Sequence, residues 1–170
     1  MNTENIEQAI RKILSEELSN PQSATATNAT VPGKNGIFKT VNEAIAATKA
    51  AQENYADQPI SVRNKVIDAI REGFWPYIED MAKRIHDETG MGTVSAKIAK
   101  LNNALYNTPG PEILQPEAET GDVGLVMYEY APFGVIGAVG PSTNPSETVI
   151  ANAIMMLAGG NTLFLSLIHI

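Results

Sequence analysis

Residues 134–147 read GVIGAVGPSTNPSE: an apolar run, a proline, three small polar residues, a second proline and an acid. The run is apolar on both faces, which suits a central strand of a parallel sheet covered by helices on each side. Asn144 stands where an N-cap belongs, Pro145 at the first helical position and Glu147 at the third, so a helix is expected to start here. A helix start directly after a buried parallel strand leaves backbone N–H groups and partial positive charge at the carboxyl end of the sheet, where open α/β sheets bind ligands. The same residues would also do no more than cap and begin a helix, and periodicity alone does not choose. Gly134, Gly137 and Gly140 are spaced G-x-x-G-x-x-G inside the strand and not in the turn. They are therefore not the dinucleotide fingerprint G-x-G-x-x-G. Close packing of the strand against helices is their expected role, with Gly140 letting the chain leave the sheet.

Working outward, residues 145–158 carry Val149, Ile150, Ala153, Ile154 and Leu157 at helical spacing, Gly159-Gly160 ends them, and TLFL reads as a further strand. Strand, helix and strand make a βαβ unit. Upstream, VGLVMYEYAP alternates and is rich in β-branched and aromatic residues, as a half-buried strand does. Before it the pattern is helical. Thr40 and Glu43 form a capping box for a helix to about Tyr55, with Ala44, Ile45, Ala47, Thr48, Ala51 and Tyr55 facing inward. Ser61 is placed to cap the next helix, which Gly73 and Pro76 break. Two more helices are expected, over residues 77–89, ended by Gly90, and over 94–106.

Residues 1–18 place Ile6, Ala9, Ile10, Ile13, Leu14 and Leu18 on one face of an amphipathic helix. Residues 19–35, SNPQSATATNATVPGKN, hold almost no large apolar side chain and read as a flexible linker. A helix tethered in this way either docks on its own domain or serves a partner.

Composition narrows the chemistry. The net charge of -7 and the scatter of 12 lysines and arginines argue against a nucleic-acid surface. With no cysteine and only His86 and His169, neither a thiolate zinc site nor an imidazole cluster can be built, so no metal is expected. The N-terminus has no secretory pattern, and the apolar stretch 148–170 is broken by Asn152, Gly159, Gly160 and Asn161, which excludes a membrane span and favours a cytoplasmic protein.

APFGVIGAVGPSTNPSET resembles the segment of CoA-acylating aldehyde dehydrogenases in which a Pro-x-Gly-Val strand ends in a Pro-Ser-Thr-Asn-Pro turn. DETGMG, NTPGPE, TGDVGLVMYEYAP and IMMLAGGNTLF are similar to further motifs of that family, in the same order. Their order matches the propionaldehyde and acetaldehyde dehydrogenases of propanediol- and ethanolamine-using microcompartments.

The resemblance implies an α/β fold of the aldehyde dehydrogenase kind, with N-terminal helices followed by the start of a Rossmann-type parallel sheet that is incomplete in this chain. It assigns residues 36–164 to the N-terminal part of the NAD-binding domain. It also implies an oxidoreductase that converts a short aldehyde, propanal or acetaldehyde, into an acyl-CoA with NAD and coenzyme A. A cysteine suits that task because its thioester stays reactive toward a second thiol, and this chain has none. The nucleotide would lie along Val139, Gly140, Pro141, Ser142 and Thr143. An oxyanion-stabilising role would fall on Thr143 or Asn144, two positions that the alignment leaves open. Ile6, Ile10, Ile13 and Leu14 would dock on a shell protein, placing the protein in a microcompartment lumen, and the full-length protein would be a homo-oligomer. Residues 165–170, LSLIHI, depart from the pattern, where relatives continue with a Ser-Pro-His-Pro-like turn. They are expected to be a non-native tail on a fragment, itself inactive. The alternatives are a non-catalytic microcompartment cargo or adaptor module, and a fragment of a non-acylating aldehyde dehydrogenase.

Overall fold

Capping chemistry sets the first helix. The computed structural model describes residues 36–167, so the expected helix 1–18, the linker 19–35 and residues 168–170 lie outside the described residues. Thr40 Oγ1 accepts the Glu43 N–H at 3.2 Å while the Glu43 carboxylate accepts the Thr40 N–H, completing the capping box. Helix α1 (Val41–Tyr55) follows. Its inward face holds Thr48 and Gln52, whereas Ala51, expected inside, faces solvent.

Helix α2 (Ile60–Phe74) starts one residue before Ser61. The Pro59 carbonyl accepts the N–H groups of Val62 and Arg63, so Ser61 lies inside the first turn and caps nothing. Pro76 cannot continue the ladder, and Trp75–Tyr77 forms a single 3-10 turn. Helix α3 (Ile78–Thr89) ends on Gly90 at φ 64°, a left-handed conformation that glycine adopts without steric cost. Helix α4 (Val94–Tyr106) is capped by Thr93, whose hydroxyl accepts the Ala96 N–H at 3.2 Å.

Strands β1 (Glu117–Gly121) and β2 (Gly124–Tyr128) form an antiparallel hairpin, Glu117 opposite Tyr128. The half-buried strand expected in this region is exposed along its whole length. Its partner β1 was not foreseen, because the one apolar residue of EAETG is the small Ala118 and none is β-branched apolar or aromatic.

Strand β3 (Val135–Gly140), helix α5 (Pro145–Ala158) and strand β4 (Thr162–Leu167) are the βαβ unit, with β3 and β4 parallel and Val135 opposite Thr162. Strand β4 runs past residue 164, pairing Leu165 with Ala138 and Leu167 with Gly140. The strand glycines make room chiefly for β4: a Cβ on Gly137 would sit 2.6 Å from the Phe164 ring, and one on Gly140 would sit 2.7 Å from Leu167 and 4.0 Å from Thr148 of α5.

Ile67 of α2, Ile85 of α3, Leu101 and Leu105 of α4, and Ile150 and Ile154 of α5 meet in one core. Each such side chain contributes about 1.5–3 kcal/mol on burial. Helix α1 is fastened to the far end of α5 by polar groups. Gln52 donates to the Gly160 carbonyl at 3.1 Å and accepts the Thr162 N–H at 2.7 Å, and Tyr55 donates to the Leu157 carbonyl at 2.9 Å. Burial there raises the Tyr55 phenol above its ordinary pKa, with the Arg63 charge opposing the shift. These contacts fix where α5 ends, while the core fixes its side. Its N-terminal end is thereby held at the tip of β3.

Candidate functional site

At the carboxyl end of β3 the chain leaves the sheet through residues 141–144 and enters α5. Val139 is 64% exposed, Gly140 is buried, Pro141 and Ser142 are half-buried, and Thr143 faces solvent. All five positions named for the cofactor therefore lie together at the strand tip, beside Asn144.

The start of α5 differs from its expected form. Asn144 is the backbone N-cap, at φ -140° and ψ 60°, but its side chain caps nothing. Its Oδ1 instead accepts a hydrogen bond from Lys100 Nζ at 3.1 Å. Glu147 does not complete a capping box either. It is buried, 8% exposed, and among the described residues neither of its carboxyl oxygens has a hydrogen-bond partner. The first N–H groups of α5 thus remain without a side-chain acceptor.

Helix α4 holds the turn in place. Lys97 is 4% exposed, and its Nζ donates to the Thr143 carbonyl at 3.3 Å, one helical turn from the Lys100 contact. The lysines fix both residues of the Thr143-Asn144 pair, one through backbone and one through side chain. Sequence reasoning missed them, because they lie 46 and 44 positions from their partners and carry no local signal. The Lys100 contact also has a direction. An ammonium group only donates, so the amide oxygen of Asn144 must face it, and the Nδ2 donors are left for another acceptor. Two recesses flank this contact. One, of about 180 Å³, lies between Gly92, Ala96, Lys97 and the turn. The other, of about 640 Å³, runs between α4 and α5 past Asn103, Thr108, Glu147 and Asn152.

Among the described residues, no group of three or more His, Cys, Asp or Glu side chains could hold a metal ion, and no helix is long and apolar enough to cross a membrane.

A parallel βαβ unit with helices packed on it makes this an α/β domain, a class in which ligands bind at the strand tips. Residues 15–166 match the model of the aldehyde dehydrogenase family, and the chain belongs to that family. It is 46% identical over 166 residues to propanal dehydrogenase (CoA-propanoylating) of Salmonella typhimurium, covering 98% of this chain and 35% of the relative. The crystal structure of Rhodopseudomonas palustris propionaldehyde dehydrogenase with bound CoA and an acylated cysteine superposes with a TM-score of 0.75 at 40% identity, over 80% of this chain and 31% of that one. A propionaldehyde dehydrogenase from the fucose utilisation bacterial microcompartment of Clostridium phytofermentans gives a TM-score of 0.73 at 45% identity, over 78% of this chain and 31% of that one. The chain spans about a third of the length of these relatives.

Proposed function

We propose that this chain is the N-terminal segment of a CoA-acylating aldehyde dehydrogenase that oxidises a short aldehyde, propanal or acetaldehyde, to its acyl-CoA. The observation that carries the reading is the Thr143-Asn144 turn, presented at the tip of a parallel strand and pinned by Lys97 and Lys100. When bound, NAD would take the hydride from the aldehyde carbon and coenzyme A would take the acyl group. The residues present fit a nicotinamide. Val139 offers an exposed apolar side chain, and the uncapped start of α5 offers N–H groups beside it. The nucleophile must come from outside these residues, since none is a cysteine.

Asn144 supplies the oxyanion donor in this reading. Its carbonyl end is taken by Lys100, so the amide N–H₂ is the end free to meet charge developing on an aldehyde oxygen. Thr143 is held through its backbone carbonyl, a contact that leaves its hydroxyl donor unoriented. Residues 1–18 carry the apolar stripe Ile6, Ile10, Ile13 and Leu14, which would bind a shell protein and bring a homo-oligomeric enzyme into a microcompartment lumen. The absence of cysteine favours a second reading, a non-catalytic cargo module in which that stripe is the working part.

The test uses a full-length enzyme in which residues 1–164 are followed by a cysteine-bearing catalytic domain, assayed with propanal, NAD and coenzyme A. Asn144→Ala is expected to lower kcat about 10²- to 10³-fold, as loss of one oxyanion donor does, with Thr143→Ala close to the parent. The reverse ranking would move the role to Thr143. A full-length chain without acyl-CoA formation, still packaged through residues 1–18, would establish the cargo module instead.

A further inference from the structure

The smaller recess beside the turn holds two positive charges that the reading above uses only as clamps. Lys97 is 4% exposed and lines the recess, yet its one hydrogen bond, at 3.3 Å, goes to a neutral carbonyl. Lys100 lines the same recess, and its one hydrogen bond goes to a neutral amide oxygen. Each ammonium can donate three. Among the described residues neither has a carboxylate within ion-pair distance. Glu147, the acid nearest the turn in sequence, lines the larger groove that Lys100 also lines, and its buried oxygens accept from neither lysine. Lys97 is buried against a neutral partner and carries a desolvation cost that an anion beside it would reduce, while Lys100 stands exposed at the rim. The uncapped first turn of α5, reached through Thr143 and Asn144, adds positive potential on the same side.

We propose that this recess is an oxyanion-binding site in which Lys97 and Lys100 hold a phosphate or carboxylate group. Its volume of about 180 Å³ limits what enters. That is room for roughly six waters at about 30 Å³ each, enough for one oxyanionic group with part of its hydration but not for a nucleotide. The rest of a larger ligand would lie outside, past Gly92. The site does not depend on dehydrogenase activity, and its test needs none.

The 170-residue chain, nitrogen-labelled, is titrated with sodium phosphate at constant ionic strength and followed by its amide resonances. Saturable shifts are expected at Gly92, Ala96, Thr143 and Asn144. Lys100→Met should weaken binding about tenfold or more, as loss of a charge-assisted hydrogen bond does. Lys83→Met, at an exposed position on α3, should leave it unchanged. Lys97→Met removes a buried group, so its fold is checked by amide dispersion, and Lys100→Met decides the matter if that variant unfolds. Acetate and coenzyme A, titrated in parallel, separate the sources. Equal binding of acetate marks a carboxylate subsite, and tighter binding of coenzyme A marks a phosphate ester. Shifts that fail to saturate, that scatter over surface lysines, or that persist unchanged in Lys100→Met would overturn the proposal.

Discussion

The hairpin β1–β2 and the strand β3 are built from similar residues and meet opposite fates. GLVMY of β2 is as apolar and as strand-prone as VIGAVG of β3, yet every β2 residue is exposed, while β3 lies against β4 with α1 and α5 packed on the pair. Strand propensity therefore fixes backbone form and leaves burial undecided. Burial follows from what the rest of the chain brings to a face, and among the described residues nothing is brought to the hairpin. Leu125, Val126, Met127 and Tyr128 are large apolar or aromatic side chains left exposed on it. The βαβ unit, by contrast, has its strand, helix and latch residues each fixed by a contact distant in sequence.

Substitutions in the two regions test that contrast. Ile154→Ala, at a fully buried site, should cost about 2–5 kcal/mol, read as a lowered denaturant midpoint. Met127→Ala in β2 should stay within about 0.5 kcal/mol, as exposed positions do. Equal costs would mean that the hairpin is packed against something in solution. Gly137→Ala comes next. Its added Cβ meets the Phe164 ring at 2.6 Å, and the forced shift should cost about 1–3 kcal/mol. Gly124→Ala, whose Cβ would meet nothing within 4 Å, should cost less.

The smallest effect expected is a pH dependence where the helical half joins the hairpin. Glu112 accepts the Gly110 N–H at 2.7 Å, and that bond holds its carboxyl below the usual carboxylate range. With the folded pKa below the unfolded one, its contribution is fully present above the ordinary carboxylate pKa and is lost as pH falls through the folded value. The stability gap between the parent and Glu112→Gln should thus close on acidification. A gap that widened would reverse the assignment.

How much of this was legible in the sequence follows the range of each determinant. The helices over 41–55, 78–89 and 94–106 were readable because their signals are local: Thr40 with Glu43, and Gly90 past the end. The βαβ order was readable from the apolar runs and from the Gly159-Gly160 stop. Strand β1 was not, since EAETG becomes a strand only by pairing with β2. The strand tip was located correctly, but its chemistry was misread as a side-chain cap. Asn144 gives its oxygen to Lys100 instead, a partner that no local pattern could name. The larger groove likewise hides Glu147, which looked like the third residue of a capping box and proves to be buried without a partner among the described residues.

The proposed function has these residues shape a site for aldehyde oxidation whose nucleophile lies elsewhere in the enzyme. It is tested by NADH formation from propanal, NAD and coenzyme A, by the purified 170-residue chain beside a full-length enzyme carrying residues 1–164. The account predicts no NADH above the blank from the cysteine-free chain, and NADH with matching acyl-CoA from the full-length enzyme. Turnover by the 170-residue chain that survives repurification would contradict it.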